Sequence, residues 1–114
     1  MYSNLVLYRN ELKNKNVARY KLIGIVAELI FSREIFKKNS DISEFLEKVF
    51  RIEYKEYIMK SRTLIISHIS KNIVKLDNFE NKKELLGFIN CKIEELKEGE
   101  DVKDEKNQFD GWLS

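Results

Sequence analysis

Proline is absent from this 114-residue chain, glycine occurs four times, and cysteine and histidine occur once each. Without proline, and with so little glycine, the usual punctuation of β-rich folds is missing and long stretches are free to be helical. The lone cysteine, Cys91, excludes an intrachain disulfide and a thiolate metal cluster, and it fits a reducing cytoplasm. Long hydrophobic runs are also lacking. The longest, Leu22–Phe31, is about half of the ~20 residues that a membrane helix needs and contains Glu28. Arg9, Glu11 and Lys13 break up the first apolar stretch, so no secretory signal is expected. These absences predict a cytoplasmic protein without a membrane span. The dominance of Lys, Asn and Ile hints at an AT-rich genome, bacterial or phage.

Catalytic groups are equally sparse. Nucleophilic and acid–base chemistry usually needs a His, Cys or carboxylate pair held in a cleft, and no glycine-rich phosphate loop is present. No enzymatic activity, cofactor or metal is expected. His68, at the edge of an apolar helical face, reads as a structural histidine, and Cys91 reads as a packing or exposed thiol. Glu28 is the one acid inside an apolar stretch. Burial there would call for a cation such as Arg19, Lys21 or Arg33, unless the residue sits at a helix edge.

What the chain does have is 43% apolar and 35% charged residues, a balance that suits one folded domain of this length. Its charge changes sign near Leu76. Through Lys75 there are 15 Lys/Arg against 8 Asp/Glu, a net +7, whereas the remainder carries 6 against 11, a net −5. A basic body with an acidic end can meet polyanions or neutralise itself, within one molecule or between protomers.

Apolar periodicity places the elements. A first helix over Asn4–Lys13 has Leu5, Tyr8 and Leu12 on one stripe, with Ser3 as N-cap. A central helix over Val17–Lys38 is apolar around most of its surface, including Tyr20, Ile23, Ala27, Ile30 and Phe31. Asp41 and Glu44 have capping-box spacing ahead of Ile42, Phe45, Leu46, Val49 and Phe50. A long helix over Tyr54–Lys75 follows, and a last helix is capped by Asn81, carries Leu85, Leu86, Ile89, Ile93 and Leu96, and ends at Gly99. The fold expected is a compact all-α bundle of four or five helices in one domain, residues 1–99, with an acidic tail, residues 100–114, mobile or folded back. The alternative is α+β, with a strand near Leu64–Ile69, where Leu64-Ile65-Ile66 favours β.

The segment 42–62 has the outline of a helix-turn-helix. In that reading Lys55, Glu56, Met59, Lys60 and Thr63 face the major groove, with Lys48 and Arg62 near phosphates. The turn Phe50-Arg51-Ile52 lacks the expected glycine, and a plain helical hairpin explains the same pattern. Lys60 to Lys71, with its Thr and Ser residues, forms a further strip for phosphates or for solvent. The leading functional expectation is a small cytoplasmic regulator or accessory protein binding DNA or RNA through Lys48, Lys55, Lys60, Arg62, Thr63 and Lys71. The alternative is a protein–protein interaction module, such as an inhibitor, an antitoxin-like partner or an assembly subunit, using its helical faces and the tail anchors Phe109, Trp112 and Leu113. A homodimer is expected in either case.

Overall fold

The computed structural model describes residues 1–14, 17–76 and 82–97 in full, and the backbone alone of residues 98–113. The described residues form six helices and no strand, in an all-α bundle. These are α1 (Tyr2–Leu12), α2 (Arg19–Phe31), α3 (Asn39–Phe50), α4 (Glu56–Met59), α5 (Arg62–Lys75) and α6 (Lys82–Leu113). Helix α1 packs on α6, α2 on α5, and α3 on both α6 and α4. The core gathers Leu5, Leu12, Leu29, Ile30, Ile42, Leu46, Ile65, Ile69, Ile73, Leu85 and Ile89, all essentially inaccessible to solvent. Burying such side chains contributes about 1.5–3 kcal/mol each before the entropy of ordering the chain is charged against it.

The segment Leu64–Ile69, the alternative strand, lies inside α5. Ile65, Ile69 and Ile73 recur every four residues and go into the core. That helical spacing outweighs the intrinsic β preference of isoleucine, because packing sets which conformation buries the most surface. Helix α1 begins two residues early, with Met1 rather than Ser3 at its N-cap. The expected cap Asn81 lies outside the described residues. The backbone of α6 does not stop at Gly99 but runs on to Leu113, and the side chains of Phe109, Trp112 and Leu113 lie outside the described residues.

Two expected helices are broken, each at a serine. The expected Val17–Lys38 helix ends at Phe31, where Ser32 turns to an extended backbone (φ −73°, ψ 116°). Its Oγ accepts from the Ile35 amide at 3.3 Å. The turn lets Ile35 and Phe36 drop into the core, where the Phe36 ring meets Phe45 at 5.2 Å and Phe88 at 5.6 Å. The expected Tyr54–Lys75 helix is interrupted after the single turn of α4. Ser61 is extended (φ −127°, ψ 120°), and its Oγ accepts from the Leu64 amide, capping α5. Nor is α2 buried all round: Tyr20 is 73% exposed and Phe31 57%.

Helix α3 starts earlier than its Asp41–Glu44 spacing suggests. Lys38 is the N-cap, and the Asp41 carboxylate accepts from its amide at 3.3 Å. At the other end Arg51 takes a left-handed conformation (φ 56°), the one described non-glycine residue to do so. Its amide donates to Glu47 O at 3.0 Å, and that of Ile52 to Leu46 O at 3.3 Å. A glycine-like turn is thus built without glycine.

Candidate functional site

Among the described residues Arg62 is the one buried charged side chain, 7% exposed. Its guanidinium donates to three backbone carbonyls: Nη1 to Ile30 O at 2.7 Å and to Ser32 O at 3.4 Å, and Nη2 to Phe36 O at 2.5 Å. Nε donates to Asn39 Oδ1 at 3.1 Å, and Asn39 Nδ2 donates in turn to Met59 O at 2.8 Å. Breaking the helix at Ser32 leaves the Ile30 and Phe36 carbonyls without helical partners, whereas Ser32 O also accepts from the Phe36 amide at 3.0 Å, and a planar fork with several donors can collect all three. The Ile30 carbonyl belongs to the last turn of α2, where the helix dipole favours a cation. Burial pulls the Arg62 pKa below its usual value, nearby Arg33 pulls it the same way, and Asp41 opposes both.

Arg62 is therefore not a phosphate contact, as the sequence pattern suggested. It faces inward and holds the end of α2, the 32–38 turn and the start of α3. Its consequence for the surface is larger than its own charge. The network draws residues 32–38 against 59–62, placing Arg33, Lys37, Lys38 and Lys60, all exposed, around one end of the bundle. Two acids, Glu34 within that stretch and Asp41 beyond it, offset part of this charge. Glu34 is 3.8 Å from the Met1 amino group, and Asp41 accepts from the Lys38 amide. This basic pole includes one residue singled out from the sequence, Lys60. Arg33, Lys37 and Lys38 were hidden inside what read as one continuous helix, and the signal for them was the polar cluster that closes it.

The other residues singled out are dispersed. Thr63 and Lys71 are exposed on α5, on a strip with Ser67 and Lys75 that runs away from the pole. Lys55 is the exposed N-cap of α4. Lys48 lies elsewhere, on the rim of a groove of about 300 Å³ between α3 and α6, floored by Phe36, Phe45 and Phe88 with Lys92 opposite. The helix-turn-helix outline does not hold. The expected second helix is split at Ser61, and α4, the part that would enter a groove, is four residues long. A single isolated turn cannot present a recognition face of three or four side chains.

Other polar groups are structural. Asn72 Nδ2 donates to Tyr54 Oη at 2.7 Å, and the Tyr54 and His68 rings lie 5.5 Å apart. Burial pushes the Tyr54 hydroxyl up to about 12. Cys91 and Glu28 are exposed, so Glu28 occupies a helix edge. Among the described residues no group of three His, Cys, Asp or Glu side chains is placed to hold a metal ion, and no helix is long and apolar enough to cross a membrane.

Comparison with protein-family models, curated proteins and solved structures finds no match to this chain. The fold and the site thus define a class by geometry alone: an all-α bundle with a basic pole organised by a buried arginine.

Proposed function

We propose that this protein is a small, non-enzymatic cytoplasmic regulator or accessory protein that binds nucleic acid through its phosphates, at the basic pole and along the outer strip of α5. The observation that carries the reading is the gathering of Arg33, Lys37, Lys38 and Lys60 by the Arg62–Asn39 network, continued by Lys71 and Lys75. Phosphate contacts of this kind position a protein without reading bases, so binding is expected to depend weakly on sequence. Thr63 lies on the same strip of α5. The test is polarisation of labelled duplex and single-stranded oligonucleotides with the full chain at low salt. Binding that falls when Lys37, Lys38 and Lys60 are changed to Glu supports the reading. Binding no tighter than that of a charge-matched control rejects it.

A second reading is favoured by Leu64 and Val74, 41% and 55% exposed on the outer face of α5. Phosphates have no use for these side chains, whereas a partner protein would cover them. Pull-down of one defined protein that protects α5 amides from exchange would support that alternative.

A further inference from the structure

The outer face of α2 carries a pattern that neither phosphate binding nor the core explains. Tyr20, Gly24, Ala27 and Phe31 are spaced four, three and four residues apart and fall on one stripe of the helix, opposite the buried stripe Leu22, Ile25, Val26, Leu29 and Ile30. Tyr20 and Phe31 are 73% and 57% exposed, the largest exposed apolar side chains of this helix, and they stand about 16 Å apart along its axis. Between them Gly24 is exposed, and a Cβ built on it meets nothing within 4 Å. Two aromatic posts thus flank a low saddle.

The pattern is symmetric about its own centre, midway between Gly24 and Ala27. Turned end over end, Tyr20 falls on Phe31 and Gly24 on Ala27. A surface with this property fits a second copy of itself across a two-fold axis, which is the requirement for an isologous interface. The charges come close to the same register, Lys21 of one copy lying two residues, about 3 Å along the axis, from Glu28 of the other. Lys21 and Glu28 are both exposed beside the stripe, on the side where α1 and α2 enclose a groove lined by Leu7, Tyr8, Glu11 and Ile25. Antiparallel pairing brings Lys21 of one copy, which also holds Glu11 of its own chain at 3.2 Å, near Glu28 of the other, twice. The small residues at the centre let the helix axes approach to about 8 Å, at the close end of helix packing.

We propose that α2 is a homodimer interface, in which the α2 helices of two copies pack antiparallel with each Tyr20 against Phe31 of the second copy. The occupant is this chain itself, because the spacing, the saddle and the charge pair are all self-complementary. The apolar Leu7, 60% exposed on the wall of the adjoining groove, is covered in the same contact.

The test is sedimentation of the full-length protein from micromolar to about 200 μM, a range that captures dissociation constants typical of modest interfaces. The expected result is a reversible monomer–dimer equilibrium. Gly24→Arg fills the saddle from an open position, so circular dichroism stays native while the dissociation constant rises at least about tenfold. Gly24→Ala, smaller than the gap, leaves the dimer intact. Glu28→Lys, which sets a lysine against Lys21 of the second copy and leaves the Lys21–Glu11 bridge in place, weakens the dimer at least about threefold. A monomer throughout the range overturns the proposal. So does a dimer indifferent to Gly24→Arg or to Glu28→Lys, which would use another face.

Discussion

Arg62 donates through Nε to Asn39 Oδ1 at 3.1 Å, and Asn39 passes the connection to Met59 O at 2.8 Å, so two side chains tie α3, α4 and α5 to the end of α2. Removing the guanidinium would leave the Ile30 and Phe36 carbonyls buried without their donor. Arg62→Met is therefore expected to destabilise by about 3–5 kcal/mol, as leaving two buried acceptors unpaired at about 1–3 kcal/mol each does. Arg62→Lys loses nearly as much, because an ammonium cannot span three carbonyls and Asn39. Asn39→Ala is milder, about 1–3 kcal/mol. Urea unfolding of the three variants checks the order, and a near-native Arg62→Lys would contradict the hub role.

Arg51 holds a left-handed backbone at φ 56° that costs a non-glycine residue about 1–2 kcal/mol. Its side chain is exposed. Arg51→Gly is expected to raise the unfolding midpoint, with a gain of about 0.5–1 kcal/mol after the added freedom of the unfolded chain is subtracted. A loss of stability would show that the Arg51 side chain contributes more than its conformation costs.

Ser61 separates α4 from α5 by capping α5 through its hydroxyl, which accepts from Leu64 N at 3.3 Å. Ser61→Ala should cost about 1 kcal/mol, and Ser61→Asp should keep most of the cap. Hydrogen exchange at Leu64 and its neighbours reads the local effect directly. Unchanged protection in the alanine variant would mean that packing alone fixes the break.

Tyr54 gives a pH dependence of defined sign. Burial raises its hydroxyl pKa from 10.0 to about 12, so the folded state retains a proton that the unfolded chain releases. The contribution is complete below pH 10 and is lost as pH rises from 10 towards 12. Stability measured across that window should fall more steeply for the natural chain than for Tyr54→Phe. The variant also gives up the bond from Asn72, so it starts lower at neutral pH. Parallel curves for the two proteins would contradict the assignment.

The all-α architecture and most of its core were legible from periodicity: Ile42, Phe45, Leu46, Val49 and Phe50 are all buried in α3, as their spacing requires. The breaks at Ser32 and Ser61 were not. Both serines sit within patterns that continue with helical spacing on either side, and a hydroxyl that caps a helix looks in sequence like one on a solvated face. What decides them is tertiary. Ile35 and Phe36 gain the core by leaving the helix, and Arg62, a residue distant in sequence, takes the carbonyls set free. For the same reason the inward place of Arg62 is not legible in the sequence. Charge suggests the surface, and only the position of three carbonyls shows why an arginine turns inward. The neighbouring Lys37 and Lys38 gain their place at the pole from that turn, which no local pattern announces.

The proposed function requires the pole and the α5 strip to bind phosphates as one surface. Its most direct test is the salt dependence of nucleic-acid binding by the full chain, since each neutralised phosphate of duplex DNA adds about −0.9 to the slope of log affinity against log salt. The triple variant Lys37→Gln, Lys38→Gln, Lys60→Gln keeps the Arg62 network and should retain its fold. The account predicts that this variant binds more weakly and that its slope is shallower by between two and three phosphate contacts' worth, about 2–3 units. A slope unchanged from that of the natural chain, or no salt-dependent binding by the natural chain at all, would contradict it.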